Sequence, residues 1–402
     1  MKVRYSILLI FFLLNGVLTS AQDTNKYITE ATALKDRALY SEAIALYTEA
    51  MEVSDDYRLY TGRGEIYLMT GDTDAAIDDF LTANNLEQGS GYLGLARAYA
   101  ADKDVVKAIV NLEHHLKSDY RLPRKEILMD KYLSSLEGTS EWRLLWKTRW
   151  YNQLEEAIAE IEYYVKAGRV SEAEDILAGV ESLYREKAGI LYAKGIISAA
   201  NGNPTQAIDY LTMAVSMDES DYQTWKLYIE QMAEAGNYIG AADACERALD
   251  SFPGQTELIF MKSEYLRVAN DRKRALDEAE RYLALYPDDE FSNRQAGLIA
   301  GEIGEYNKAL RYLSKNIEKY PGKAQCYTDR GDIYLKIKSW DAAVYDYSMA
   351  LDLWPRNGDT YYNKGLALIN SGKTEEACHD FRMALRYGKR KAAGMLSKYC
   401  IK

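Results

Sequence analysis

The sequence predicts an all-α solenoid, one helical hairpin repeated from end to end, and three observations carry that prediction. Ala207, Ala241, Ala275, Ala309, Ala343 and Ala377 recur every 34 residues, and upstream the ladder continues through Ala43, Ala76, Ala108 and Ala173. Pro253, Pro287, Pro321 and Pro355 keep the same spacing. Between these marks the apolar residues follow a helical period: Trp340, Ala343, Val344, Tyr347, Ala350 and Leu351 fall on one face. A fixed period of this length is the signature of stacked supersecondary units, none of which buries its apolar face alone.

The 402-residue chain opens on Met1–Ala21, which reads as a secretory signal peptide. Lys2 and Arg4 precede the apolar run from Ile7 to Leu14, and Thr19-Ser20-Ala21 places small residues before a cleavage site at Gln22. A run of this length falls short of the ~20 residues of a spanning helix. The expected location is the bacterial periplasm or the cell exterior. Residues 22–121 then hold the N-terminal repeats, with Gly71 standing where a first helix should stop. Gly168, Gly202, Gly236, Gly304 and Gly372 stand at the same place further on, where a left-handed residue ends a helix without steric cost. The prolines stop the second helices, because proline lacks an N–H and restrains the residue before it.

The repeating unit resembles the tetratricopeptide repeat (TPR), a 34-residue helix–turn–helix motif with a large residue at its fourth place and small ones at its eighth, twentieth and twenty-seventh. Unit 324–357 shows Tyr327, Gly331, Tyr334, Ala343, Tyr347, Ala350 and Pro355, and unit 358–391 shows Tyr361, Gly365, Gly372, Ala377, Phe381 and Ala384. Units 57–90 and 188–221 follow the same pattern. The resemblance implies a right-handed superhelical solenoid of about ten to eleven TPR hairpins with a C-terminal capping helix. Much of the tyrosine content, 34 residues, falls on packing places of the motif, Tyr60, Tyr67 and Tyr347 among them.

Two stretches depart from the pattern. Residues 122–153 lack the alanine and read as a degenerate helical repeat, with Trp142, Trp146 and Trp150 at the spacing of one helical face. Two readings stand open for these tryptophans: core packing, or an exposed aromatic–basic patch for a partner. The main array resumes over 154–387, and 388–402 reads as the capping helix that covers the last apolar face. Cys378 and Cys400 lie at similar distances on either side of the turn at Gly388, which brings them level in an antiparallel hairpin. The resemblance to secreted bacterial TPR chains supports a disulfide between them, and four free thiols is the alternative.

Chemistry is sparse. A net charge of −11 argues against general nucleic-acid binding, which needs a basic face. His114 and His115 are adjacent and point apart on a helix, so no metal site is expected, and no Gly-rich phosphate loop or G-x-S-x-G elbow occurs. No cofactor is expected, and with the repeats consuming the chain the protein reads as non-enzymatic. Chaperone-binding TPR domains hold a C-terminal carboxylate with an asparagine at the ninth place. Here that place holds Glu65, Arg97, Glu162, Ile196, Glu230, Glu264, Leu298, Asp332 and Leu366, so that clamp is not expected.

The resemblance therefore implies an interaction scaffold of the cell envelope that binds a protein or peptide along its concave face, lined by the first helix of each repeat. The side chains expected there are Tyr192, Lys226, Glu230, Phe260, Glu264, Arg267, Arg294, Asp332 and Tyr362, with Phe260 and Tyr362 as aromatic anchors. A carbohydrate- or peptidoglycan-binding protein using its Tyr and Trp rings, and a structural subunit of an envelope complex, are the competing readings.

Overall fold

The computed structural model describes residues 23–400. The signal-peptide reading of Met1–Ala21 lies outside them. The described residues form 23 α-helices and one short 3-10 helix, with no strand among them. After Leu258 the chain separates into two compact units, inside the array that the repeat pattern treats as continuous.

In the first unit α1 (residues 23–36) and α2 (Tyr40–Met51) form the first hairpin, followed by α3 (Tyr57–Thr70) with α4 (Thr73–Leu86) and α5 (Tyr92–Ala101) with α6 (Val105–Lys117). The degenerate stretch follows as α7 (Arg124–Leu128), the 3-10 helix Ser134–Leu136 and α8 (Ser140–Leu145). Regular hairpins resume with α9 (Gln153–Lys166) and α10 (Val170–Tyr184), α11 (Ala188–Ala200) and α12 (Pro204–Met217), and α13 (Tyr222–Glu234) and α14 (Tyr238–Ser251). The second unit is built from α15 (Glu257–Val268) and α16 (Arg272–Leu285), α17 (Glu290–Ile303) and α18 (Tyr306–Lys319), α19 (Ala324–Lys336) and α20 (Trp340–Leu353), and α21 (Gly358–Asn370) and α22 (Thr374–Arg386). The chain closes on α23 (Ala392–Tyr399).

The alanine ladder is the spine of this core: all ten of its members are fully buried. A methyl group is all the space between paired helices admits, and larger residues fill the gaps around it. At Gly331 even a methyl is too much, since an ideal Cβ would stand 2.8 Å from the buried Tyr347 ring. Each proline of the 34-residue ladder sits two residues beyond its second helix, as Pro253 follows α14 and Pro355 follows α20. The six hairpin glycines all take positive φ, and Ala38, Lys103, Asn270 and Lys338 do the same at the equivalent places of four other hairpins. The conformation is thus set by the hairpin itself, with glycine its most comfortable occupant.

A polar ladder accompanies the apolar one. Sixteen residues separate the partners of the ion pairs Arg63–Asp79, Lys262–Glu278, Arg330–Asp346 and Lys364–Asp380, each joining the two helices of one hairpin at 2.7–3.4 Å. The Asp346 side chain is 1% exposed, so its charge depends on Arg330.

The first unit also meets itself. The Asn25 amide donates to the Asp250 carbonyl at 3.0 Å, and the Thr29 hydroxyl lies 2.8 Å from the Pro253 carbonyl. Thr24, Thr29 and Thr32 are buried along α1, and Thr32 lies beside Gly254. The first helix of this unit therefore packs on the turn that follows α14, its last complete helix. At the other end of the chain, a disulfide joins Cys378 on α22 to Cys400 just beyond α23, with Cα atoms 5.7 Å apart. Cys245 and Cys326 are buried free thiols.

The stretch that carries Trp142, Trp146 and Trp150 differs from the single helical face its spacing predicts. Helix α8 ends at Leu145, so Trp150 leaves the helical register. Trp142 is 6% exposed, and Trp146 and Trp150 pack against the same cluster with Leu112, Leu133 and Leu136. The Trp150 indole N–H donates to the Leu145 carbonyl at 2.9 Å. Trp142 is core, and Trp146 and Trp150 are half-buried against it: a short helix that cannot bury a face by length buries it with large rings.

Candidate functional site

In the first unit the first helices of successive repeats line a cleft of about 1430 Å³ that runs from Glu65 on α3 to Gln223 on α13. The degenerate stretch supplies one wall, from Arg121 to Tyr132, and α9 supplies the other. Two networks hold the first wall in place. The Leu122 N–H donates to His115 Nε2 at 3.1 Å, and the Tyr151 hydroxyl donates to the Leu122 carbonyl at 2.8 Å. The Arg121 guanidinium donates to the Trp150 carbonyl at 2.9 Å and to Glu155 on the opposite wall at 2.5 Å. Burial, with Arg97 and Arg121 nearby, pushes the His115 imidazole down to about 4, which keeps Nε2 a free acceptor near neutrality.

Inside this cleft stand large apolar side chains that find no core. Met129 is 74% exposed, Tyr163 65% and Met69 44%. Polar residues surround them: Arg97 pairs with Asp130 at 2.6 Å, and Glu65 accepts from Lys35 at 3.2 Å.

The expected concave-face residues divide between the units. Tyr192 lines the cleft and donates its hydroxyl to Glu162 at 2.9 Å, which together with burial raises the tyrosine pKa. Lys226 and Glu230 are exposed on α13 but do not line the cleft. In the second unit most of the candidates engage one another or a neighbouring repeat. Glu264 accepts from Gln295 at 2.7 Å and from Arg267 at 2.9 Å, while Arg294 donates to Asp329 at 2.6 Å. Asp332 accepts from Tyr347 at 2.6 Å and from Asn363 at 3.1 Å, and burial raises its carboxyl above the usual range. A cavity of about 240 Å³ lies beside Asp332, with Leu298, Lys336 and Asn363 among its lining residues. The two expected anchors are half-buried. Phe260 packs on Tyr282 with centroids 5.4 Å apart, and Tyr362 lies 5.8 Å from Phe381, with Lys389 also 5.8 Å from its ring.

A rule emerges that the sequence did not display: a ninth-place acid commonly accepts from an adjacent repeat. Glu65 with Lys35, counted backwards, and Glu162 with Tyr192, Glu264 with Gln295 and Asp332 with Asn363 counted forwards, are separated by 30 or 31 residues. These carboxylates stitch repeats together. Of the residues that sequence reasoning missed, Met129 and Arg124 sit on the irregular stretch, where no periodicity reports which way a side chain faces, and Tyr163 stands opposite them on α9. Among the described residues no three His, Cys, Asp or Glu side chains converge as a metal ion requires.

One tetratricopeptide-repeat family model matches residues 28–84, 158–222 and 294–358, and a second matches 358–387. The chain belongs to the tetratricopeptide-repeat family. Solved structures similar to this TPR protein include a tetratricopeptide repeat protein from Parabacteroides merdae, 18% identical, covering 61% of this chain and 98% of that one with a TM-score of 0.43. YrrB, a TPR protein with an unusual peptide-binding site, is 16% identical over 47% of this chain and 97% of its own, TM-score 0.40. The Cut9–Hcn1 hetero-tetramer of APC/C is 14% identical over 94% and 96%, TM-score 0.41. A TPR array is typically a non-catalytic scaffold for protein–protein interaction, and no described helix of this one is long and apolar enough to cross a membrane.

Proposed function

We propose that this TPR protein is a non-enzymatic scaffold of the bacterial cell envelope that holds an extended peptide segment of a partner in the cleft of its first unit. The observation that carries the reading is the group Met69, Met129 and Tyr163, exposed inside a concavity whose other side chains are largely polar. Apolar side chains left in water within a concave, polar-rimmed surface mark interaction sites. The envelope location rests on the signal-peptide character of Met1–Ala21. Sugar binding is less favoured, because Trp142 is buried in the core and Trp146 and Trp150 are half-buried against it. The test is capture from envelope extract with wild-type protein and with the double variant Met129→Asp, Tyr163→Asp. Wild type retains a partner that the variant loses while helix content is unchanged; equal capture by both would move the binding surface out of the cleft.

A further inference from the structure

We infer that the occupant of the first-unit cleft is an extended peptide in which acidic residues flank one large apolar side chain. This rests on the cleft reading above and adds the chemistry of the ligand. Its starting point is which charges of the cleft the chain itself neutralises. Asp130 takes Arg97, Glu155 takes Arg121, and Arg149 takes Glu156 at 2.5 Å. Glu65 is taken by Lys35. What is left on the first wall is Arg124, Lys125 and Lys131, all exposed, against Glu126 alone. On α9, Lys166 stands with Glu160 and with Glu162, which already accepts the Tyr192 hydroxyl. The free cations are thus concentrated on one short segment, in a chain whose net charge is −11.

That segment also carries Met129, among the most exposed apolar side chains of the described residues. Two of its cations are held over aromatic faces, Arg124 at 5.2 Å from the Trp146 ring and Lys131 at 4.8 Å from Tyr132. Such contacts position a cationic head without consuming its N–H donors. The segment's base is fixed by His115, Tyr151 and Arg121, so little ordering remains to be done on binding. A ligand presenting carboxylates to Arg124, Lys125 and Lys131 and an apolar group to Met129 and Tyr163 satisfies both features at once. The cleft exceeds the ~300–1,000 Å³ of a small-molecule pocket and runs along several first helices, dimensions that suit an extended chain.

The test uses full-length exported protein and short fluorescein-labelled peptides read by fluorescence anisotropy. One peptide places Asp and Glu around a central Trp, a second replaces the acids by Lys, and a third keeps the acids and replaces Trp by Ala. The acidic Trp peptide binds, and the other two bind at least about tenfold more weakly, a difference of roughly 1.4 kcal/mol. The triple variant Arg124→Glu, Lys125→Glu, Lys131→Glu weakens the acidic peptide by at least about tenfold and relieves the discrimination against the Lys peptide. Raising salt weakens the wild-type complex, as screening of exposed charges requires. Equal or tighter binding of the Lys peptide, or no binding of the acidic Trp peptide, overturns the inference. The cleft reading is judged separately: if Met129→Asp, Tyr163→Asp abolishes capture of an envelope partner while the charge-reversed triple variant does not, the cleft stands and the acidic ligand falls. Circular dichroism of each variant establishes that the helices remain.

Discussion

Gly236 allows the hairpin turn to be tested without confounding by packing. Its φ is +78°, and an ideal Cβ built there meets nothing within 4 Å. The turn is closed by Gly236 N–H to the Ala233 carbonyl and by Asn237 N–H to the Met232 carbonyl, at 3.0 and 2.9 Å. Gly236→Ala therefore adds no clash and charges only the backbone. A left-handed L-residue costs roughly 1–2 kcal/mol, from which the reduced freedom of the unfolded chain returns about 0.4–1 kcal/mol. The expected net loss is about 1 kcal/mol. Gly236→Asn should cost less, because asparagine tolerates this conformation, as Asn270 does at the same place of another hairpin. Lys338→Gly, with φ +63° at a further equivalent place, should stabilise by up to about 1 kcal/mol. Urea titrations followed by circular dichroism, with hydrogen exchange of the flanking helices as a local probe, measure all three. A neutral Gly236→Ala, or an asparagine as costly as alanine, would show that the turn is not what requires glycine.

Other outcomes follow from the polar contacts and the disulfide. Arg330→Met leaves Asp346 buried without its partner and should cost about 3–5 kcal/mol in urea titration, much more than Lys373→Met at the exposed pair with Asp341. Burial holds His115 neutral in the fold with its pKa pushed down to about 4, whereas the unfolded chain titrates near its ordinary 6.5. Between these values the unfolded chain binds the extra proton, so stability is full above 6.5 and falls as pH drops towards 4, by roughly 3 kcal/mol. His115→Gln should flatten that part of a pH–stability curve. Reduction of the Cys378–Cys400 disulfide, which closes a separation of 22 residues, should cost about 3 kcal/mol and raise exchange first in α23, a result to be read by mass spectrometry before and after reductant.

The repeat architecture was legible because its marks are steric necessities. An alanine between packed helices and a proline after a second helix recur wherever the hairpin recurs, and both ladders land where their spacing places them. The left-handed turn was legible only at its glycines. Ala38, Lys103, Asn270 and Lys338 take the same conformation without advertising it, because the hairpin imposes φ on whatever residue occupies the place. Periodicity also assigns a side to a residue but not a partner. Glu264, Arg294 and Asp332 lie on first helices, yet their side chains are already engaged, by Gln295, Asp329 and Asn363. The cleft wall from Arg121 to Tyr132 was hidden for the opposite reason. It belongs to the stretch that breaks the period, so no repeat place marks Met129 as outward-facing, whereas the tryptophans further along that stretch pack against the core.

The central claim, that the first-unit cleft is where a partner is held, is tested most directly by site-specific photo-crosslinking in intact cells. A photoreactive phenylalanine analogue replaces Met129, Tyr163 or, as a control on the exposed side of α6, Val106, which is 63% exposed. Illumination should yield one covalent adduct from positions 129 and 163 and none from 106, and the linked peptide should come from an envelope protein. Adducts from Val106 with none from Met129 or Tyr163 would contradict the account.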